Sequence, residues 1–192
     1  VLRRYAFCTL PDFLYFCLLK CGNVPGNQFL RSCKTGFKDS KFLANGMQNG
    51  DEFFMRQALD EARKAFNKGE VPIGAVVVYG DRIVGRGHNL TETLADPTAH
   101  AEMQALTAAT GAIGGKYLNE CRLYVTVEPC VMCAGACFWC QVGQVIYGAP
   151  DPKRGASLHT PSLFHPKTQV RTGILEQECR EWMERFFRKL RF

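Results

Sequence analysis

The spacing of hydrophobic and polar residues from position 51 onwards predicts helices and strands in alternation. Apolar residues three or four positions apart, or helix-forming composition, predict four helices: 51–67, about 99–110, 130–140 and 176–190. Runs rich in β-branched residues predict four strands: 72–79, 82–88, 122–127 and 144–147. Asp51 is expected to cap the first helix and Gly69 to end it.

The order of these elements predicts the fold class. Gly80 and Asp81 form a turn that joins the first two strands into a hairpin, and helices connect the remaining strands. Strands joined by helical crossovers are typical of an α/β protein. We therefore expect a three-layer α/β/α domain with a central mixed sheet, and a polar, proline-rich loop over residues 149–166. The last helix should bury one side, formed by Cys179, Trp182, Met183, Phe186 and Leu190.

Residues 1–46 show neither the helical nor the strand pattern of apolar residues. An apolar run near the beginning vaguely resembles a signal or transit segment, but Pro11 and Asp12 interrupt it. The regular pattern starts directly after Met47, the first methionine of the chain. Our interpretation is that residues 1–46 are an N-terminal extension and that residues 47–192 form the folded domain.

Composition and charge narrow the class of protein. The chain has 192 residues, of which 46% are hydrophobic, enough for one ordinary domain. No apolar stretch approaches the roughly 18 residues of a membrane span. The net charge is +6, and residues 1–46 hold seven Lys or Arg against two Asp or Glu. Four basic residues gather near the C-terminus, either to contact nucleic acid or to complement a helix dipole: Arg185, Arg188, Lys189 and Arg191.

A metal site is predicted from His100, Cys130 and Cys133. Two cysteines separated by two residues can chelate one zinc ion, and a single histidine supplies a third ligand. Three protein ligands leave one tetrahedral position open, which is typical of catalytic zinc. Ten closely spaced cysteines in an α/β pattern favour metal binding in a reducing compartment over a disulfide framework.

Glu102 is the predicted catalytic residue, because it lies two positions beyond His100 and can reach the open side of the metal without binding it. Zinc lowers the pKa of a bound water to about 7. A neighbouring carboxylate can then move protons between that water, a ring nitrogen and a leaving amine. These residue types together indicate hydrolysis of an amidine.

Cys137 and Cys140 share a helical face with Cys130 and Cys133, a spacing that could also indicate an iron–sulfur cluster. A helix of eleven residues rises about 16 Å, so Cys140 is too far from a metal held at Cys130. We expect both additional cysteines to pack in the core.

The region from about 51 to 191 resembles the bacterial tRNA-specific adenosine deaminases of the cytidine deaminase superfamily. The zinc signature, His-x-Glu followed by Pro-Cys-x-x-Cys, is common to zinc deaminases and does not choose a substrate. More specific strings are EVPIGAV (70–76), GHN (87–89), DPTAHAE (96–102), LYVTVEPCVMCAGA (123–136), YGA (147–149) and FFR (186–188). Segments 137–141 and 151–170 diverge from the family pattern.

The resemblance implies a cytidine-deaminase-like fold, one zinc ion per subunit, a homodimer in the cytoplasm, and conversion of adenosine to inosine at the wobble position of a tRNA anticodon loop. It implies that Asn89 binds the flipped purine or its sugar and that Asp151 lies at the entrance for the anticodon loop. Phe187 and Arg188 would contact neighbouring nucleotides. For Asn89 the alternative is a turn residue bound to its own backbone, and for Phe187 it is core packing.

Two other functions are compatible with the same residues. The first is deamination of a free base or nucleoside such as guanine or cytosine, which needs no RNA surface. The second is a non-catalytic, zinc-binding subunit that contacts RNA. The presence of Glu102 argues against the second, since a non-catalytic subunit does not need a proton carrier.

Overall fold

The computed structural model describes residues 50–191, so the interpretation of residues 1–46 as an extension lies outside the described range. Four helices and five strands follow one another in the order α1 Asp51–Asn67, β1 Gly74–Tyr79, β2 Arg82–His88, α2 Ala101–Ile113, β3 Cys121–Val127, α3 Val131–Trp139, β4 Gln144–Ala149, β5 Gln169–Thr172 and α4 Glu176–Lys189. A short 3₁₀ helix, Ala156–Leu158, lies between β4 and β5. Among residues 50–191, no helix is both long and apolar enough to cross a membrane.

The five strands form one mixed sheet in the order β2-β1-β3-β4-β5. Strand β1 runs antiparallel to both β2 and β3, whereas β3, β4 and β5 are parallel to one another. The parallel strands require crossovers, which α3 and the segment 150–168 provide. The mixed sheet confirms the predicted topology.

Alternating residues of the central strands divide the core into two layers. Val76 and Val78 of β1 face α1 and α4, together with Tyr124 and Ile146. Ala75 and Val77, their neighbours on the same strand, belong to the core on the other face, beneath α2 and α3. Side chains of a strand alternate between its two faces, and both faces here are covered by helices. The predicted three-layer α/β/α architecture is therefore confirmed.

Glycines let the helices approach the sheet closely. A Cβ atom on Gly74 would lie 2.8 Å from the carbonyl carbon of Glu61 in α1 and closer still to two other backbone atoms of that helix. A Cβ on Gly87 would lie 2.6 Å from the amide nitrogen of Ala105 in α2. Real Cβ atoms do not make such contacts, so these two positions set the distance between sheet and helix on each face.

The structure corrects the sequence prediction at three places. Gly50, and not Asp51, occupies the cap position of α1, and the carboxylate of Asp51 instead accepts a hydrogen bond from Tyr124 at 2.7 Å. Leu190 follows the last helical residue and is 65% exposed, whereas Cys179 and Phe186 of α4 are buried as expected. Strand β5 was missed because its four residues are polar or exposed and it lies at the edge of the sheet.

Candidate active site

Three metal-binding side chains meet where two helices begin. The Nδ1 atom of His100 lies 3.7 Å from the Sγ atom of Cys130 and 3.6 Å from that of Cys133. All three donor atoms lie within 4.8 Å of one another. The fold thus brings together the three residues that the sequence predicted as metal ligands, although 30 residues separate His100 from Cys130.

Helix geometry places these side chains. His100 directly precedes α2 and Cys130 directly precedes α3, and both have extended backbone angles. The N-terminus of a helix carries a partial positive charge that favours thiolates, and the backbone N–H of Cys133, in the first turn of α3, bonds the sulfur of Cys130. A hydrogen bond from Cys133, reinforced by one with His100, lowers the pKa of Cys130 to about 3 against the opposing effect of burial. The same hydrogen bond, together with burial, raises the pKa of Cys133, so Cys130 is the thiolate of the pair and Cys133 holds the proton that metal binding would displace. The hydrogen bond with Cys130 also raises the pKa of His100.

The donor set fits zinc. One imidazole nitrogen and two thiolate sulfurs are ligands that zinc prefers, and three of them leave one tetrahedral position free. Cys137 is fully buried in the core beneath α2 and α3, and Cys140 packs against the same core. Within residues 50–191, the group of possible metal ligands contains neither of these two cysteines, which confirms that they have a packing role.

Glu102 lies in the first turn of α2 and is only 3% exposed. Its Oε2 atom has no hydrogen-bond partner. Among residues 50–191, it is the only buried side-chain nitrogen or oxygen atom without one. Burial raises the pKa of Glu102 to about 7. A buried carboxylate with a free oxygen beside metal ligands is suited to accepting and returning a proton near neutral pH.

A cavity of about 950 Å³ opens onto the metal ligands at the carboxyl ends of the parallel strands β3 and β4. Ligands of α/β proteins commonly bind at this end of a sheet. The lining includes His100, Glu102 and Cys130. A second cavity of about 860 Å³ lies at the opposite ends of these strands, and its Arg122 and Arg171 already pair with aspartates.

Three of the four predicted substrate-binding residues line the 950 Å³ cavity. Asn89 is buried, Asp151 is half-buried, and Phe187 on α4 is 45% exposed, so Phe187 is not a core residue. Arg188 follows Phe187 and is exposed, but it does not line the cavity. The substrate-binding roles of these four residues remain predictions.

Sequence reasoning missed the residue that holds one wall of this cavity. The carboxylate of Glu128 is buried and accepts hydrogen bonds from the backbone N–H groups of Asp151 at 3.1 Å and Ser157 at 2.8 Å. Gly155 leaves room for that carboxylate, since a Cβ there would collide with it. Glu128 directly precedes the Pro-Cys motif, but its partners lie 23 and 29 residues downstream, where no local pattern reveals them.

Basic and apolar side chains from two other segments were also missed. Arg154 follows β4, Arg180 and Met183 belong to α4, and all three line the same cavity. Arg154 is close enough to His100 to oppose the rise in the pKa of that imidazole. A charged rim around the cavity could have been suspected from the basic end of the chain, but the sequence does not place it.

Comparison with known proteins identifies the family. A model of the MafB19-like deaminases matches residues 49–191. The chain belongs to this deaminase family. It is 47% identical over 146 residues to a tRNA-specific adenosine deaminase of Bacillus subtilis, a match covering 73% of this chain and 91% of the relative. The resemblance predicted from the sequence is thereby confirmed.

Solved structures of other deaminases are similar to this chain. One, from a study of A-to-I editing by tRNA:A34 deaminases at the wobble position, is 42% identical with a TM-score of 0.63 and covers 67% of this chain and 97% of that chain. Another, a guanine deaminase from Bacillus subtilis, is 38% identical with a TM-score of 0.51 and covers 53% and 66%. The cytidine-deaminase-like fold is therefore confirmed, and two kinds of substrate occur among similar structures.

Proposed function

We propose that this protein is a zinc-dependent hydrolase that converts adenosine to inosine at the wobble position of a tRNA. The observation that carries the proposal is the buried Glu102, with one unpartnered oxygen, beside the cluster of His100, Cys130 and Cys133 and lining the same cavity as His100 and Cys130. Support for adenosine in tRNA as the substrate comes from the 47% identity to a tRNA-specific adenosine deaminase, a match that extends over 91% of that relative.

His100, Cys130 and Cys133 would hold one zinc ion per subunit. When bound, zinc supplies a Lewis acid that makes water a nucleophile at neutral pH. The thiol groups favour this metal over magnesium or calcium, which prefer oxygen ligands. Cys130 is prepared for binding, since its lowered pKa keeps it a thiolate.

Glu102 moves the protons of the reaction. Hydrolysis adds the oxygen of water to C6 of adenine and releases ammonia, so one proton of the water goes to the ring and the other to the leaving amine. Glu102 takes the first proton from the water and gives it to the ring nitrogen N1. It then takes the proton of the hydroxyl group formed on C6 and gives it to the amine, as the C–N bond breaks and the C6 carbonyl forms. A carboxyl pKa near 7 lets one group act in both directions. The backbone N–H groups at the start of α3 help to hold the developing negative charge.

The cavity receives the adenine after it leaves the stacked anticodon loop. Asn89 would bind the nucleoside inside the cavity, and Asp151 would lie at the entrance used by the loop. Phe187 exposes its ring beside the cavity and would stack on a neighbouring base, with Arg188 next to a phosphate. Arg154 adds positive charge to the cavity wall.

We further propose a homodimer in the cytoplasm. Helix α3 exposes three large apolar side chains, with Val131 48%, Phe138 36% and Trp139 78% accessible. A second copy of the chain would cover them, because exposed apolar clusters commonly mark protein interfaces. Cys130 and Cys133 must stay reduced to bind a metal, and thiols stay reduced in the cytoplasm, which supports this location.

A direct comparison of substrates tests the proposed function. Purified protein loaded with zinc is incubated with an anticodon stem-loop RNA that has adenosine at the wobble position, and separately with adenosine, guanine and cytosine. We expect inosine in the RNA and no comparable release of ammonia from the free compounds. Faster deamination of guanine or another free base would replace the proposal with a free-base deaminase. Bound zinc without turnover on any substrate would indicate a non-catalytic subunit.

A further inference from the structure

Glu70 is a fully buried carboxylate that the proposed reaction leaves without a role. It lies between α1 and β1, and among its hydrogen-bond partners there is no basic side chain within residues 50–191. A buried carboxylate normally has a charged or hydrogen-bonding partner, because an unpaired one is very unfavourable. Its partners therefore show what this carboxylate holds in place.

All hydrogen-bond partners of the Glu70 carboxylate belong to one segment, residues 89–93. Its Oε1 atom accepts a hydrogen bond from the backbone N–H of Thr93 at 2.7 Å. Its Oε2 atom accepts from the Nδ2 atom of Asn89 at 3.1 Å, the hydroxyl of Thr91 at 3.4 Å and the backbone N–H of Glu92 at 3.3 Å. Burial acts to raise the pKa of Glu70, but these donors outweigh burial and lower it, so the group is a carboxylate at neutral pH.

This arrangement fixes which way the amide of Asn89 points. A carboxylate can only accept hydrogen bonds, so the nitrogen of the amide has to face Glu70. The same nitrogen also lies 3.0 Å from the hydroxyl oxygen of Thr91, which uses its second N–H. The Oδ1 atom has no partner among residues 50–191 and is not enclosed, because Asn89 lines the 950 Å³ cavity. The carbonyl oxygen is thus the atom offered to the cavity.

We propose that Glu70 is a positioning residue that holds Asn89 with its carbonyl oxygen towards the substrate, where this oxygen accepts a hydrogen bond from the nucleoside. The proposal rests on the proposed function. The ring nitrogens N1, N3 and N7 of adenosine are acceptors and cannot bind a carbonyl oxygen. Within an RNA chain the 3′ and 5′ oxygens of adenosine are esterified, so its hydrogen-bond donors are the 2′-hydroxyl and the exocyclic amine, and one of these two groups is the ligand of Asn89.

A double-mutant cycle tests whether Glu70 acts through Asn89. Asn89→Ala, Glu70→Gln and the double variant are compared by kcat/KM on the stem-loop RNA. Each single substitution should lower kcat/KM about tenfold or more, since it removes or misorients one hydrogen bond to the substrate. The double variant should be within about twofold of Asn89→Ala, because no oriented amide remains to lose. Losses that multiply in the double variant would overturn the proposal.

Glu61→Gln provides the matched control. Glu61 is also a buried carboxylate, at 2% exposure, but it pairs with Lys64 and His88 and does not line the cavity. Glu61→Gln should change kcat/KM by the same factor in the wild-type protein and in Asn89→Ala. Glu70→Asp keeps the carboxylate, so its kcat/KM should lie between those of wild type and Glu70→Gln. If Glu70→Gln does not fold, Glu70→Asp replaces it in the double-mutant cycle.

A measurement without substrate separates this proposal from the proposed function. The side-chain amide of Asn89 is identified in a ¹⁵N NMR spectrum by its absence in Asn89→Ala. In wild type its protons should exchange slowly with solvent, and in Glu70→Gln they should shift and exchange faster. An amide signal unchanged by Glu70→Gln would overturn the positioning role, whereas an altered signal in a protein inactive on RNA would overturn only the proposed function.

The stem-loop with 2′-deoxyadenosine at the target position distinguishes the two donors. With the 2′-hydroxyl as ligand, the loss caused by Asn89→Ala disappears on the deoxy substrate. With the exocyclic amine as ligand, the loss persists. An Asn89→Ala variant as active as wild type on the ribose substrate would contradict any contact between Asn89 and the nucleoside.

Discussion

Replacing Gly87 by alanine should displace helix α2 and, with it, the metal ligand His100. The added Cβ would lie 2.6 Å from the amide nitrogen of Ala105 and 2.7 Å from the Cβ of Gln104, and closer still to the carbonyl oxygen of Ala101. Nonbonded heavy atoms rest at about 3.5–4.0 Å. Two of the three obstructing atoms are backbone, so the helix has to move away by about 1 Å.

That displacement is large compared with the tolerance of a metal site. Bond lengths from protein atoms to a metal vary by about 0.2 Å, and His100 directly precedes α2. The fold also loses stability, and three contacts below 3 Å place the loss near the upper end of the range for overpacked cores, about 3 kcal/mol. For a domain of this size, that corresponds to a fall in Tm of about 10 °C.

Gly111→Ala is the matched control, since it adds the same methyl group to α2 itself, the helix that a methyl group on Gly87 of β2 would displace. No atom lies within 4 Å of a Cβ at Gly111, and alanine is the better helix former by about 1 kcal/mol. We expect Gly111→Ala to raise Tm slightly and to keep zinc, and Gly87→Ala to lower both Tm and zinc content. Thermal denaturation of chelator-treated protein and metal analysis by mass spectrometry measure the two effects. Wild-type Tm and zinc content in Gly87→Ala would refute the close-packing argument.

The remaining predictions concern the metal, the interface and the loop. Cys133→Ala should abolish zinc binding and Cys140→Ala should retain it, as judged by metal content; equal zinc in both would contradict the ligand set. Trp139→Glu should convert a dimer into monomers in sedimentation experiments, and an unchanged mass would place the interface elsewhere. The pKa of Glu70 is lower in the folded protein than in the unfolded chain, so the ionised carboxylate stabilises the fold at every pH above the unfolded pKa. This stabilisation is lost as the pH falls through the folded-state pKa. Urea unfolding should show Glu70→Gln less stable than wild type by about 2 kcal/mol at neutral pH. This difference in the free energy of unfolding should become smaller in acid, and a difference independent of pH would contradict the role of the ionised carboxylate.

Much of the fold could be predicted because local pattern and final environment agree. Apolar residues such as Phe54 and Ala58 recur at helical spacing in α1 and are buried as that pattern requires. The β-branched run of β1 occupies the middle of a covered sheet. Strand β5 was not predicted, since its pairing with β4 depends on backbone hydrogen bonds that four exposed residues do not reveal. The close approach at Gly87 likewise depends on a helix that comes later in the chain.

The metal site could be predicted because its chemistry is local. His100 and Glu102 are two residues apart, Cys130 and Cys133 three apart, and each pair begins a helix. The residues that shape the cavity are different. Glu70 contacts a segment 19 to 23 residues downstream, and the partners of Glu128 lie 23 and 29 residues downstream, so neither carboxylate has a sequence signature. Tertiary structure alone assigns them partners.

The most direct measurement is the position of inosine in a full-length tRNA. A transcript with adenosine at the wobble position is incubated with the zinc-loaded protein and with Glu102→Gln, and inosine is located by sequencing. We predict inosine at the wobble position alone with wild type, and a rate at least about a hundredfold lower with Glu102→Gln, whose zinc content stays at one ion per subunit. A tRNA left unmodified by wild type, or one converted equally well by Glu102→Gln, would contradict the proposed reaction.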